Sequence, residues 1–191
     1  MMLPFGEIKR LSKEDDFKYW IGSQFFIRPD SGLKEFTGQV VYDNQVISNY
    51  RPMWGNNRLG MMTPEEVQDT YRVEDDLLCV VARARYIEKE WRVVIGDKKV
   101  ITGCQYKFRD ELCESEDFPE KVKEYAEKVA QCGWEPARVY VMDIASDVHG
   151  ELGLLEINSF SSSGLYKCDL SKIVKEVSII AENEWKEYQE I

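Results

Sequence analysis

Two pairs of closely spaced apolar runs most constrain the fold of this chain, because each pair predicts a β-hairpin. Residues 91–95 and 98–102 flank Gly96-Asp97, a two-residue turn of the kind that hairpins prefer. Residues 137–144 and 152–158 are joined by the short polar turn SDVHGE. Strands joined so tightly run antiparallel, so we expect antiparallel sheet in the second half of the chain.

A third pair of strands is expected near the N-terminus. Residues 24–28 and 39–42 are short and apolar, and the loop between them is polar and contains glycine. Backbone amides around Gly38 could approach a phosphate, with Arg28 and Lys34 supplying positive charge. A plain hairpin connection would have the same composition, and the spacing excludes a P-loop.

The remaining segments predict a loop, a buried strand and helices. Residues 49–63 mix Pro, Gly and Asn, which indicates a long surface loop, and Thr63 before a proline is a helix-start signal. Residues 77–84 are rich in valine and predict a buried strand. Residues 118–132 and the segment from Ser171 onward place apolar side chains on one helical face. We expect the last helix to pack its apolar stripe on the sheet.

The overall charge narrows the possible partners. The 191 residues carry a formal charge of -10 and are 43% hydrophobic, which predicts one globular domain, or two small lobes that share a core. This charge argues against nucleic acid or an anionic membrane as a partner. Residues 83–109 nevertheless carry 8 basic and 3 acidic side chains, whereas residues 110–191 carry 8 and 19. The unevenness is either surface decoration or the mark of a site for an anionic ligand.

The cysteines and the N-terminus predict a cytoplasmic protein. The five cysteines are odd in number and contain no C-x-x-C pair, which argues against a disulfide framework and a zinc site. No apolar run has the length of a membrane span, and charged residues occupy the place of a signal peptide's apolar core. The sequence does not indicate an oligomeric state.

Acidic and amide side chains near the second hairpin are candidates for a metal site. Glu156 and Asn158 lie two residues apart, so on a strand they share a face, and hairpin pairing can place Asp143 near them. Their oxygens are hard ligands of the kind that Mg²⁺ prefers. Simple alternation of exposed polar residues would produce the same spacing.

A basic stretch precedes the first hairpin turn. Glu90 and Arg92 share a strand face, and the planar guanidinium of Arg92 could contact a phosphate with two hydrogen bonds. An exposed cross-strand ion pair is the alternative. His149 is the only histidine and lies in a turn, so Ser-His and Cys-His nucleophilic chemistry are disfavoured.

These pieces occur in an order that resembles the ATP-grasp superfamily over most of residues 24–166. The segment FFIRPDSGLKEFTGQVV resembles the phage and bacterial clade in which Arg-Pro replaces Lys-Pro. The resemblance implies an α+β fold in which two α+β lobes clasp ATP, with antiparallel sheets and with helices packed on one face. It implies an N-terminal lobe over residues 1–82 with the phosphate loop, and a C-terminal lobe over residues 83–191 with the metal site.

The resemblance also implies roles for individual residues. Arg28 would contact phosphate, and the loop with Lys34 and Gly38 would close over it. Glu90 would hold the ribose hydroxyls. Arg92 and Lys107 would be catalytic and face the phosphate or the substrate carboxylate. The adenine hinge would be formed by four consecutive residues, Arg83, Ala84, Arg85 and Tyr86.

The third implied set is the metal site and the reaction that it serves. Asp143, Glu156 and Asn158 would bind Mg²⁺ against the phosphates of ATP, so ATP and Mg²⁺ are the implied cofactors. The implied activity is that of a carboxylate-amine ligase, which forms an amide bond through an acylphosphate on a small-molecule or peptide substrate. Val141 stands where many relatives have arginine, and SFSSSGLY replaces their Thr-x-Pro-Gly. A non-catalytic nucleotide-binding module and a phosphotransferase to a small acceptor are the alternatives.

Overall fold

The computed structural model describes residues 1–31, 35–36, 38–42, 73–109 and 111–190. The chain divides into two compact units, residues 1–85 and 86–191, each with an antiparallel sheet of its own. The predicted α+β class is therefore confirmed. The predicted loop at 49–63 and the helix start at Thr63 lie outside the described residues.

The sheet of the N-terminal unit has four strands. They are β1 (Met2–Pro4), β2 (Gln24–Pro29), β3 (Gln39–Tyr42) and β4 (Leu78–Arg83), in the order β1-β4-β2-β3. The three strands predicted from the sequence are confirmed, and β1 is an addition. It pairs antiparallel with β4 through Met2 opposite Val80.

Two short helices cover one face of this sheet. They are α1 (Phe5–Leu11) and α2 (Asp15–Ile21). Alternate residues of the strands point toward them, because successive side chains on a strand point to opposite faces. The resulting core joins helix residues to strand residues and contains Phe5, Ile8, Phe17, Ile21, Phe25, Ile27, Phe36, Val41, Cys79 and Val81.

The C-terminal unit has a five-stranded sheet in the order β7-β6-β5-β8-β9. Its strands are β5 (Ile87–Gly96), β6 (Lys99–Phe108), β7 (Glu111–Ser115), β8 (Val139–Asp147) and β9 (Leu152–Ser159). Its helices are α3 (Glu120–Ala130) and α4 (Leu170–Gln189). The last strand leads into a single 3₁₀ turn, Phe160–Ser162.

The two helices of this unit pack on opposite faces of the sheet, which corrects the expectation of a single helical face. Trp91 and Val93 of β5 pack with Val122 of α3, whereas Val94 packs with Ile173 of α4. The cause lies in β5, which is buried continuously from Glu90 to Gly96. A strand that is buried on both faces needs a cover on both.

The turn of the first hairpin lies one residue later than predicted. Gly96 pairs with Lys99, so Asp97 and Lys98 are the central residues, with φ values of 45° and 62°. Two positive φ values are typical of a type I′ turn. Gly96 serves packing instead, because a Cβ there would lie 2.5 Å from Cδ1 of Ile180 in α4.

The apolar stripe of α4 is covered only in part within the described residues. Ile173 and Ile180 are buried, as predicted, but Trp185 and Tyr188 are exposed and stack on each other with ring centroids 6.4 Å apart. None of the described helices combines the length and the hydropathy that a membrane-spanning segment requires.

Candidate functional site

A polar row crosses four strands of the C-terminal sheet on one face. In the strand register, Cys104 of β6 lies opposite Arg92 of β5, Arg92 opposite Asp143 of β8, and Asp143 opposite Glu156 of β9. Directly opposed residues share a face. The neighbouring row on that face ends in Asn158, which lies opposite Val141. Three of the predicted site residues therefore form one line across the sheet.

The centre of this row is a buried ion pair. Arg92 donates from Nε to Oδ1 of Asp143 over 2.9 Å and from Nη2 to Oδ2 over 2.7 Å. The Asp143 side chain has no exposed surface, and that of Arg92 is 9% exposed. Burial raises the pKa of Asp143, and the adjacent guanidinium opposes that shift. Burial works against the charged form of Arg92, but the bonds to Asp143 raise its pKa overall.

The guanidinium of Arg92 is also held by aromatic rings and by a backbone carbonyl. Its Nη1 donates to the carbonyl oxygen of Gly164 over 2.9 Å. Its Cζ lies 5.1 Å from the ring centroid of Tyr106 and 4.9 Å from that of Tyr166, and the two rings stack 4.8 Å apart. Cation–π contact and hydrogen bonds thus fix the orientation of this positive charge.

Glu90 is buried and bonded through both carboxylate oxygens. Tyr106 donates its hydroxyl to Oε2, and Lys107 donates from Nζ to Oε1 over 2.9 Å. Burial, followed by the bond to Glu90, raises the pKa of the Tyr106 hydroxyl, so Tyr106 remains a donor at neutral pH. The same hydroxyl lies 3.3 Å from Oδ2 of Asp143. The two predicted catalytic residues, Arg92 and Lys107, are thereby linked through one network.

The predicted metal ligands differ in access. Glu156 is exposed and Asn158 is half-buried, and Nδ2 of Asn158 donates to Oε1 of Glu156 over 2.8 Å. That bond leaves the amide oxygen of Asn158 available as a hard ligand. Both oxygens of Asp143 accept hydrogen bonds from Arg92, and Oδ2 also faces the Tyr106 hydroxyl. The donor set fits Mg²⁺ through Glu156 and Asn158, with Oδ1 as the less crowded oxygen of Asp143.

The described part of the chain contains no group of three His, Cys, Asp or Glu side chains that could hold a metal ion. The candidate set depends on the amide of Asn158, which is consistent with this result. It contains two carboxylates rather than three.

The predicted residues of the N-terminal unit lie on β2 and β4 and in the segments that follow them. Arg28 is exposed on β2, and a Cβ at Gly38 would lie 2.8 Å from the ring of Phe26. Arg83 donates from Nε to the carbonyl oxygen of Trp20 over 2.7 Å. Ala84, Arg85 and Tyr86 have no regular structure, and Lys34 lies outside the described residues.

The structure adds Tyr106, Tyr166 and Gly164 to the candidate site. Tyr106 is the extra residue of a bulge in β6, because Glu90 pairs with Lys107 and Trp91 pairs with Gln105. Tyr166 follows the run of serines after Asn158 and has a φ of 46°. A positive φ at a residue with a bulky side chain is the feature that marks this segment, and it is visible only in three dimensions.

Comparison with solved structures shows the same fold at low identity. The ATP-grasp ligase PsnB, complexed with minimal precursor, Mg and ADP, aligns with a TM-score of 0.52 and 14% identity, covering 94% of this chain and 52% of that one. D-alanine–D-alanine ligase from Bacillus anthracis, complexed with ATP, aligns with 0.51 and 16%, covering 93% and 56%. The chain thus spans about half the length of these structures.

A third structure and the sequence comparisons complete the assignment. N5-carboxyaminoimidazole synthase from Aspergillus clavatus aligns with a TM-score of 0.51 and 12% identity, covering 82% of this chain and 38% of that one. Comparison with curated protein sequences gives no match. The model of an ATP-grasp domain, the third family of its clade, matches residues 26–177. This chain therefore belongs to that family of ATP-grasp domains.

Proposed function

We propose that the protein is an ATP-dependent carboxylate-amine ligase that forms an amide bond through an acylphosphate. The observation that carries this proposal is the polar row, in which a fixed arginine lies beside a carboxylate and a pair of accessible oxygen ligands. Phosphoryl transfer needs positive charge and metal ligands held in fixed positions, because catalysis rests on orientation and electrostatic stabilisation. Buried, hydrogen-bonded side chains supply both.

The roles proposed for nucleotide binding follow the resemblance residue by residue. Arg28, Lys34 and Gly38 bind phosphate, and Glu90 holds the ribose hydroxyls. The adenine hinge is formed by Arg83, Ala84, Arg85 and Tyr86. In this proposal, residues 1–82 form the lobe with the phosphate loop, and residues 83–191 form the lobe with the metal site.

Arg92 is proposed to act on the transferred phosphoryl group or the acceptor carboxylate. A guanidinium has five N–H groups, and three of them are donated to Asp143 and Gly164. In this arrangement, one N–H on each terminal nitrogen can turn to an anionic oxygen. Lys107 supplies a second positive charge that is tied to the same network through Glu90.

Mg²⁺ is proposed to bind Glu156, Asn158 and Oδ1 of Asp143. When bound, the metal would neutralise charge on the phosphates of ATP. The chain's own residues position it, since the β8–β9 register sets Glu156 opposite Asp143 and the amide of Asn158 orients the Glu156 carboxylate.

We propose a peptide or amino-acid-like molecule as the substrate, and the cytoplasm as the location. PsnB is complexed with a minimal precursor, and the Bacillus anthracis enzyme is named a D-alanine–D-alanine ligase. These structures motivate the substrate class for this chain. All five cysteines are free thiols, which agrees with a reducing compartment.

The test compares Glu156→Gln with Glu151→Gln, since both residues are exposed and lose the same charge. Calorimetry with Mg-ATP is expected to show affinity about tenfold weaker or more for Glu156→Gln, and unchanged for Glu151→Gln. ADP release with candidate peptides and amino acids then tests turnover. Equal binding and full turnover by Glu156→Gln would overturn the metal-site assignment.

A non-catalytic nucleotide-binding module is the second candidate, and Val141 favours it. Val141 is buried and lies opposite Asn158, in the position where many relatives have an arginine. Binding of Mg-ATP without ADP release in any cell extract would favour the module. A stable phosphorylated product, detected by mass spectrometry, would instead indicate a phosphotransferase.

A further inference from the structure

Two cysteine thiols lie in contact behind the polar row. Cys104 is in β6 and Cys168 immediately precedes the cap of α4, and their Sγ atoms are 3.2 Å apart. The two residues are 64 positions apart in sequence and are 0% and 5% exposed. The other described cysteines differ, since Cys113 and Cys132 are exposed and Cys79 lies in the N-terminal unit.

The contact is close to the geometry of a disulfide. A disulfide bond is about 2.0 Å long, so the two sulfur atoms need to approach by only about 1.2 Å. Neither thiol has to leave the core or change its neighbours by much for this approach. Cys168 Sγ is the donor in the thiol–thiol contact, and this bond lowers the pKa of Cys104 against the opposing effect of burial. Cys104 is thus the thiol that more readily becomes a nucleophilic thiolate.

The pair connects directly to the groups that hold Arg92. Cys168 Sγ lies 3.7 Å from the carbonyl oxygen of Arg92, and Cys104 Sγ lies 3.8 Å from that of Leu165. The segment 163–169 contains Gly164, whose carbonyl accepts from Arg92, and the tyrosine whose ring contacts the guanidinium. A covalent bond at Cys168 would therefore tie this segment to β6.

We propose that Cys104 and Cys168 are a reversible oxidative modification site, at which a hydroperoxide forms an intramolecular disulfide that fixes the segment 163–169 against the sheet. The Cys104 thiolate attacks one oxygen of the hydroperoxide, which breaks the O–O bond and gives a sulfenic acid and an alcohol or water. The Cys168 sulfur then attacks the Cys104 sulfur and displaces water. Two thiols lose two electrons and two protons, and the peroxide accepts them. A dithiol reductant reverses the change by exchange.

This proposal does not depend on the proposed function, because it concerns the thiols and the backbone of one unit. The full chain is treated with hydrogen peroxide, free thiols are alkylated, and the digest is analysed by mass spectrometry without reduction. We expect a peptide that links Cys104 to Cys168 and disappears after dithiothreitol. If both residues are recovered only as alkylated thiols while Cys113 and Cys132 are oxidised, the proposal is wrong.

Matched variants separate this pair from the other cysteines. Cys168→Ala and Cys104→Ser are each expected to abolish the linked peptide, whereas the double variant Cys113→Ser/Cys132→Ser is expected to retain it. Far-UV circular dichroism checks that each variant is folded. A linked peptide that persists in folded Cys168→Ala would overturn the assignment.

Hydrogen exchange tests the effect on the segment 163–169. The amide of Cys168 donates to the carbonyl of Leu165 over 3.0 Å, so this amide reports on the segment. We expect its exchange to slow about tenfold or more after oxidation, because a cross-link that closes a long loop removes open states. Unchanged exchange in fully oxidised protein would overturn the proposed fixing of the segment.

Discussion

Replacing Asp143 with asparagine should cost far more stability at neutral pH than most substitutions. It leaves Arg92 buried and charged, and it removes two charge-assisted hydrogen bonds of 2.7 and 2.9 Å. Arginine cannot lose its proton in a protein, so the charge stays. Breaking a buried pair in this way costs about 3–5 kcal/mol. In a chain of this size, that cost lowers the melting temperature by about 6 to 20 °C.

The reverse substitution, Arg92→Met, should show a different pH dependence. It leaves a buried carboxylate, and a carboxylate can become neutral by binding a proton. Burial already raises the pKa of Asp143 while Arg92 opposes it, so removing Arg92 raises that pKa further. The unfolded chain then releases its proton at lower pH than the folded protein. The variant's penalty is therefore full above the folded pKa and disappears as the pH falls toward about 3.9, the unfolded value.

Urea unfolding at about pH 7 and about pH 4, followed by circular dichroism, compares the two variants. The stability lost relative to the parent protein should shrink at the lower pH for Arg92→Met and persist for Asp143→Asn. The double variant Arg92→Met/Asp143→Leu should lose less than Asp143→Asn alone, because it leaves no unpaired charge. If both single variants lose the same stability at both pH values, the reasoning from a buried pair is refuted.

Three further substitutions test packing, backbone conformation and hydrogen bonding. Gly103→Ala places a Cβ 2.5 Å from the ring of Phe118 and should destabilise by about 1–3 kcal/mol, whereas Gly133→Ala, with no atom within 4 Å, should change stability by less than about 0.5 kcal/mol in the same urea titration. Equal losses would contradict the packing. Lys98→Gly should stabilise by about 0.5–1 kcal/mol, because Lys98 has a φ of 62°, and a lower unfolding midpoint would contradict this. Tyr106→Phe removes the donor to a buried carboxylate and should cost about 1–3 kcal/mol, while an unchanged midpoint would show that the bond contributes nothing.

Local side-chain patterns are sufficient to predict most strands. In β2, Phe25 and Ile27 alternate with more exposed neighbours, so the strand can be read from five or six residues. The helices α1 and α2 are not predicted from the sequence, although Phe5 and Ile8 have helical spacing. Helices of seven residues are not stable alone, and tertiary packing on the sheet supplies what local sequence does not.

The composition of the candidate site is more predictable than its connections. Arg92, Asp143 and Glu156 are each predicted individually, but their alignment depends on strand register. Register shifts between Glu90 and Trp91 and after Asp143 set that alignment, and such bulges depend on long-range pairing. The sequence could not show that Asp143 is fully buried, or that both of its oxygens are bonded.

The place of β1 in its sheet has a consequence for the order of folding during synthesis. Met2 pairs with Val80, so β1 leaves the ribosome well before β4 and has to wait for it before their hydrogen bonds can form. The β5–β6 hairpin, by contrast, joins neighbouring segments through a two-residue turn and can form within microseconds of its emergence. Closing a long loop is slow, because its entropy is lost before any contact compensates. The N-terminal unit is thus completed late relative to the synthesis of β1, and the intervening chain has to remain soluble while the partner strand is made.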